Sequence, residues 1–147
     1  MTMKTMIAMA LTLALLCAGI GLAETIDGQE AEAMKLWIGE TAVSVAWEDN
    51  DAVRALRALV AEQPLTIEMS MYGGFEQVGP IGQRLPRNDA QTTTQAGDIV
   101  LYSGNQLVVF YGSNSWAYTR LGHIADKTPD ELRNLLGNGD VTITLGE

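Results

Sequence analysis

The sequence predicts a mainly β protein, a closed antiparallel β-barrel of about eight strands capped by two short helices. Apolar and polar residues alternate in several short runs, which is typical of half-buried strands. Short glycine-containing turns join neighbouring runs, and such hairpins build an antiparallel sheet. Two stretches with helical periodicity lie between the runs, and a single sheet of this size tends to close because closure removes its exposed edges.

The first predicted elements are a hairpin and a helix. Residues 34–47, MKLWIGETAVSVAW, contain two apolar-rich runs around a central Gly-Glu pair. Residues 51–62 repeat apolar side chains at three- and four-residue spacing, which predicts one buried helical face. Asn50 or Asp49 can cap the first free amides of this helix, and Pro64 marks its end.

The middle of the chain predicts further strands. Residues 65–71 alternate between apolar and polar side chains, and GDIVLYSGNQLVVFYG contains two apolar runs joined at Gly104-Asn105. That pair suits a two-residue hairpin turn because both residues tolerate positive φ. SWAYTRLGHI, beginning near Trp116, is a further strand-like run, and DVTITLG is the last.

The clearest local signal is the second helix, within DKTPDELRNLLGNGD. Thr128 is the expected cap, Pro129 the first helical residue and Glu131 the reciprocal partner, while Gly137 can close the helix. From the two periodicities we predict a core of twelve apolar residues: Val43, Val45, Leu56, Leu59, Ile67, Met69, Ile99, Leu101, Val109, Leu132, Ile143 and Leu145.

The N-terminus has the three parts of a secretory signal peptide. Lys4 precedes a long apolar run, and the run ends in a small-x-small pattern at Ala23. We therefore expect a signal peptide at 1–23 cleaved after Ala23, an acidic flexible leader at 24–33 and one domain at 34–147. A membrane anchor is the alternative, although the apolar run is slightly short for a span.

Export and charge limit the partners. Cys17 lies in the apolar run and is the single cysteine; lipid attachment there is a minor alternative, because Leu16 stands where lipoprotein signals usually place a small residue. Cleavage would leave 8 basic and 18 acidic residues, a net charge of −10. That charge repels nucleic acid and anionic lipid surfaces. We expect a periplasmic or secreted protein without stable membrane insertion after cleavage; oligomeric state cannot be read from the sequence.

Motifs for common chemistries are missing. His123 is the single histidine, and no Gly-x-Ser-x-Gly elbow accompanies it, so a structural or surface role is expected. A zinc or copper site would lack thiols and a second imidazole. The carboxylates of WEDND lack the spacing of a calcium loop, and GPIGQR lacks the ending of a phosphate loop. We therefore predict no catalytic residue, metal or cofactor.

One long connection, residues 72–89, contains glycine, proline, aromatic and charged residues and is the candidate site, together with GSNSWAYTR. Aromatic rings can hold an apolar group while arginine holds a carbonyl or carboxylate, so a peptide or small-molecule cleft is expected. Equally, Glu76 and Asp89 could pair with the arginines and only hold the connection down. The candidate cleft residues are Tyr72, Phe75, Glu76, Arg84, Arg87, Trp116, Tyr118 and Arg120.

Three segments, YGGFEQVGPIGQRLP, GDIVLYSGNQLVVFYGSNSW and YTRLGHI, resemble the bacterial cyclophilin-like proteins over residues 34–147. The resemblance implies a closed barrel of about eight strands with two helices. True cyclophilins isomerise X-Pro bonds, using an arginine for the carbonyl and an apolar pocket for proline. Their Phe-x-x-Gln-Gly-Gly-Asp-type segment is not present, so no catalytic residue is carried over.

The expected function is a binding module for a peptide or small molecule. The alternative is a prolyl cis-trans isomerase with a rearranged site, which would need no cofactor. A passive interaction or envelope-stress protein, whose long connection is only structural, is the third possibility.

Overall fold

The structure, a computed structural model, describes residues 34–147, so the predicted signal peptide and leader lie outside the described residues. Within this part no helix is long and apolar enough to cross a membrane. The strands are β1 (Lys35–Ile38), β2 (Thr41–Val43), β3 (Val45–Trp47), β4 (Leu65–Glu68), β5 (Ser70–Tyr72), β6 (Glu76–Pro80), β7 (Ala90–Thr93), β8 (Asp98–Tyr102), β9 (Gln106–Phe110), β10 (Ser115–Ile124) and β11 (Thr142–Gly146); the helices are α1 (Asp51–Glu62) and α2 (Pro129–Leu136).

The mainly β fold with two helices is confirmed, but the predicted closed barrel overstates the architecture. The described strands form two sheets instead of one closed cylinder. The smaller sheet has the order β2-β1-β11-β4, and the larger has the order β3-β10-β8-β9-β6-β5, with β7 added to β10. All strand pairs are antiparallel, as the hairpin patterns predicted.

The chain crosses between the two sheets at two single-residue breaks. The predicted strand before α1 is divided at Ser44, and the predicted strand at 65–71 is divided at Met69. At each break the chain passes from the smaller sheet to the larger one. The Ser44 amide donates to Asp126 Oδ1 at 3.0 Å, and the Met69 amide donates to the Val141 carbonyl at 2.9 Å. Both breaks therefore keep their backbone donors satisfied.

Both helices begin as predicted. The Asn50 side chain accepts the Val53 amide at 2.9 Å, which caps α1. At α2, Thr128 Oγ1 accepts the Glu131 amide at 3.2 Å while Glu131 Oε1 accepts the Thr128 amide at 2.9 Å. These reciprocal bonds form the expected capping box.

One apolar core contains residues from both sheets and both helices. Ten of the twelve predicted core residues are buried, and the other two, Val45 and Leu59, are partly buried against the same core. The two sheets lie close together at Gly79 on β6. A Cβ at Gly79 would lie 2.7 Å from the Glu68 carbonyl oxygen and 2.7 Å from Ile67 Cγ2, so the approach requires glycine.

Half of the predicted long connection, residues 72–80, belongs to a hairpin. This hairpin, β5–β6, turns through Gly73 and Gly74 at φ 65° and 74°, and β6 lies inside the larger sheet. Only residues 81–89 form an extended connection, and Ile81 and Leu85 anchor it because both side chains are buried. The β8–β9 turn also differs from the prediction, since its positive φ values fall at Ser103 and Gly104.

Candidate binding site

The larger sheet carries a second apolar cluster on the face opposite the core. Ile99 and Leu101 on β8 belong to the core, whereas Val100 belongs to the second cluster. On β9, Val108 and Phe110 alternate with core residues in the same way, and Tyr118 on β10 completes the second cluster. Because successive side chains of a strand point to opposite faces, one apolar run supplies both clusters.

A cavity of about 790 Å³ lies beside this second cluster. Tyr72 is 64% exposed and Trp116 is 56% exposed, although both are large aromatic residues. Tyr102 is also exposed and lines the same cavity. The cavity is lined by Tyr72, Gly73, Phe75, Glu76, Val78, Tyr102, Asn114, Trp116 and Tyr118.

The β5–β6 turn positions the aromatic wall. Tyr72 and Glu76 are paired across this hairpin, and Phe75 lies in the turn between them. The Phe75 ring stacks on Phe110 at a centroid distance of 6.4 Å and meets the Tyr72 ring edge-on at 6.1 Å. Phe110 in turn meets Tyr118 edge-on at 5.7 Å. These contacts connect the exposed Tyr72 ring, through Phe75, to the buried rings of Phe110 and Tyr118. Stacked and edge-on arrangements of this kind are common between aromatic side chains.

Glu76 is the acidic group of the cavity. It is only 7% exposed, and its carboxylate has no hydrogen bond or ion pair among residues 34–147. Burial raises the pKa of Glu76 from 4.5 to about 7, because an apolar surrounding disfavours the charged form. Glu76 can therefore donate a proton when neutral or face a cation when ionised.

Tyr118 is the best-held phenol of the cavity. Its hydroxyl accepts a hydrogen bond from Asn114 Nδ2 at 2.9 Å, and Asn114 also lines the cavity. Burial raises the pKa of Tyr118, and the nearby Glu76 charge acts in the same direction. The phenol therefore stays neutral and oriented near neutral pH.

The structure brings five of the eight predicted cleft residues to this cavity and places three elsewhere. The five are Tyr72, Phe75, Glu76, Trp116 and Tyr118. The three that do not line it are Arg84, Arg87 and Arg120, and each of them interacts with residues outside the cavity. Arg84 donates to the Ser103 carbonyl at 3.1 Å, and Arg87 pairs with Asp89.

Arg120 belongs to a separate polar cluster around Asp98, which is 1% exposed. One Asp98 oxygen accepts the Gln95 amide at 2.9 Å and faces the Arg120 guanidinium at 3.3 Å. The other lies 2.8 Å from His123 Nδ1. The buried Asp98 carboxylate is thus contacted by both side chains, and this contact agrees with the structural or surface role expected for His123.

The sequence left two expectations for residues 72–89, a ligand cleft or ion pairs that only hold the connection down, and each applies to part of this segment. Asp89 does pair with Arg87 and also accepts from Thr119 Oγ1 at 2.7 Å, and these bonds lower the Asp89 pKa. Glu76, by contrast, pairs with none of the described arginines.

Four lining residues were not among the candidate cleft residues: Gly73, Val78 and Asn114, which lie within the candidate segments, and Tyr102, which lies outside them. Tyr102 could have been found, since it has the same strand phase as Val100 and ends an apolar run. Across residues 34–147, no group of three or more His, Cys, Asp or Glu side chains is arranged to hold a metal ion.

The fold and the cavity define a class, a two-sheet β domain with an aromatic-lined site on its larger sheet. The family comparison is more specific, because the profile of the cyclophilin-like family matches residues 36–146. The chain belongs to the cyclophilin-like family, as the sequence resemblance indicated.

Comparison with solved structures supports the fold. The chain is similar to the solution structure of the hypothetical protein AF2241 from Archaeoglobus fulgidus, with a TM-score of 0.53 and 13% identity. The similarity covers 77% of this chain and 92% of the archaeal chain. No curated protein matches the sequence.

Proposed function

We propose that this domain is a binding module that takes a small molecule or an apolar peptide side chain into the aromatic cavity, without catalysing a reaction. The observation that carries the proposal is where the exposed apolar side chains lie. Four large hydrophobic residues are exposed in the described part of the chain, namely Met71, Tyr72, Tyr102 and Trp116, and three of them line this one cavity.

The size and chemistry of the cavity support binding. A volume of about 790 Å³ falls within the range of about 300–1,000 Å³ that is common for small-molecule sites. Aromatic walls with a few polar groups are also typical of such sites, and here the polar groups are Glu76, Asn114 and the tyrosine hydroxyls.

A fragment screen with matched variants tests this proposal. Ligand-observed NMR would compare the wild-type protein with Tyr72→Ala, Trp116→Ala and Met71→Ala. We expect fragments that bind the wild type to be lost or weakened in the first two variants. Met71→Ala is the control, because Met71 is exposed but does not line the cavity. Equal binding to all four proteins would contradict the proposed site.

Prolyl isomerisation is the second candidate, and the family membership is what favours it. An arginine that holds the substrate carbonyl would be needed, and none of the nine residues lining the cavity is basic. Proline-limited refolding of a test protein measures this activity. Acceleration by micromolar wild-type domain, lost in Trp116→Ala, would overturn the non-catalytic part of the proposal.

We also propose export to the periplasm or the medium, on the basis of the N-terminal sequence alone. Mass spectrometry of the native protein tests it. A mature chain that begins at Glu24 is expected, and a chain that retains residues 1–23 would contradict it.

A further inference from the structure

The cavity has aromatic walls and an acid but no base. Five of its nine lining residues are aromatic, one is acidic and none is basic. The face of an aromatic ring carries a negative quadrupole, so rings arranged around one space attract a cation. An anion would meet these ring faces and Glu76 without any compensating positive group.

Glu76 is a buried acid with no partner among residues 34–147. Buried carboxylates are normally paired or hydrogen-bonded, because removing the charge from water is costly. Asp98 in the same sheet follows that rule, since Gln95, Arg120 and His123 all contact its oxygens. Glu76 is surrounded instead by the lining of a cavity large enough for a ligand.

We propose that the ligand of this cavity is an organic cation, an alkylated ammonium group held between the aromatic faces and neutralised by Glu76. The inference rests on the proposed binding function and names its ligand class. The walls would supply cation–π attraction, and the carboxylate would supply the opposite charge that its burial leaves unmatched.

The charge of the whole chain favours the same ligand class. The sequence carries 9 basic and 18 acidic residues, a net charge of −9, so its field attracts cations towards the surface. Alkylation of the ammonium group fits the apolar walls, because methyl groups can be buried against the rings while the charge remains.

Binding of such a cation should depend on pH in one direction. Glu76 has a pKa of about 7 in the free protein, so raising the pH from 6 to 8 creates the carboxylate that a cation requires. The other ionisable groups facing Glu76 are the phenols of Tyr72 on β5, Tyr102 on β8 and Tyr118 on β10. Phenols carry no charge in this range, so the increase is assigned to Glu76.

A pair of compounds with the same shape provides the test. Choline carries a trimethylammonium group, and 3,3-dimethylbutan-1-ol is its neutral isostere. Titration calorimetry at pH 8 should show at least about fivefold tighter binding of choline. Choline affinity should fall by up to about tenfold between pH 8 and pH 6, whereas the affinity of the neutral compound should stay constant.

Two variants separate the charge from the walls. Glu76→Gln keeps the shape of the side chain and should abolish the pH dependence and reduce the preference for choline to the part that the aromatic walls supply. Trp116→Leu keeps an apolar wall without an indole face and should weaken choline more than the neutral isostere. Met71→Ala is again the matched control and should leave both affinities unchanged.

The outcomes distinguish the two proposals. Equal binding of the two compounds, or tighter binding of the neutral one, would overturn the cation and leave the binding cavity in place. The cation would also be overturned if choline did not bind at millimolar concentration while neutral or anionic fragments bound in a manner that depends on Trp116. Absence of any Trp116-dependent fragment would overturn the proposed function itself.

Discussion

The two faces of the larger sheet use the same kinds of side chain for different purposes. On the core face, Ile99, Leu101 and Val109 are fully buried beneath both helices and the smaller sheet. On the opposite face, Val108 and Phe110 are buried too, but the aromatic residues at their margin remain exposed. Exposed rings forgo burial free energy that the fold could have gained. Stability therefore comes mainly from one face, and the other keeps apolar surface available.

Two adjacent residues of β6 show the same contrast for polar groups. Gln77 is buried on the core side, and its Nε2 donates to the carbonyls of Leu136 and Gly139, both at 2.7 Å. The Leu136 carbonyl is one that the end of α2 leaves free, and Gly139 lies in the segment that follows the helix. Glu76, one residue earlier, has no such partner among the described residues. The two adjacent positions therefore differ: the Gln77 amide nitrogen is hydrogen-bonded within the fold, although its Oε1 has no partner, whereas the Glu76 carboxylate forms no ion pair among the described residues.

The largest predicted effect comes from a substitution on the core face of the larger sheet. Leu101→Ala should lower the free energy of unfolding by about 2–5 kcal/mol, because it removes a fully buried side chain and leaves a cavity. Chemical denaturation measures the change. Tyr72→Ala is the comparison on the opposite face and should stay within about 0.5 kcal/mol of the wild type. Similar losses in both variants would show that the two faces do not differ as described.

The second prediction concerns the buried acid. Glu76→Gln should stabilise the protein at pH 8, by about 3 kcal/mol at most, because the pKa of Glu76 is raised from 4.5 to about 7. In the wild type, the unfolded chain ionises near pH 4.5 while the folded protein keeps this proton until about pH 7. In the wild type, the contribution of Glu76 to the free energy of unfolding is therefore fully present below pH 4.5 and is lost as the pH rises to 7.

Denaturation of Glu76→Gln and wild type at pH 4 and pH 8 tests this sign. The two proteins should differ little in stability at pH 4, where the carboxyl group is mostly neutral in both states, and differ clearly at pH 8. A variant that is less stable than the wild type at pH 8 would indicate that the ionised carboxylate has a favourable partner.

The third prediction tests whether Arg120 contributes to the stability of the fold and not to binding in the cavity. Arg120→Ala should destabilise the fold by about 1–2 kcal/mol, because Asp98 loses one charged partner but keeps Gln95 and His123. Fragment binding should not change. A loss of binding without a loss of stability would place Arg120 at the site after all.

The smallest effect is expected at the surface. Arg87→Ala should cost less than about 1 kcal/mol, because the Arg87–Asp89 pair is partly exposed and Thr119 also holds Asp89. The pKa of Asp89 should rise towards its ordinary value, since Arg87 is the main cause of its lowering. NMR titration of Asp89 measures this, and an unchanged pKa would assign the lowering to Thr119.

Local signals in the sequence predicted the local structure well. Both helices begin at their predicted caps, because a cap depends on residues only three positions apart. The mainly β fold was predicted, but a closed barrel overstated it, because the chain changes sheets at Ser44 and Met69 without interrupting the alternation of apolar residues. Period two indicates which face of a sheet a residue occupies, but not which sheet it belongs to.

The candidate site was predictable in part for a related reason. Tyr72 and Phe75 are close in the sequence, and a glycine-rich turn was enough to bring them together. The arginines could not be placed, because their partners depend on tertiary pairing. Arg120 meets Asp98 from a neighbouring strand, 22 positions away. The burial of Glu76 without a partner among the described residues could not be predicted either, because burial depends on the whole fold.

Gly79 connects the architecture with the site. A methyl group at this position would clash with Ile67 and with the Glu68 carbonyl, so it would push the two sheets apart. The preceding residue, Val78, is part of the cavity wall. A substitution at this one glycine is therefore expected to reach the cavity wall through the backbone of β6, although residue 79 itself does not line the cavity.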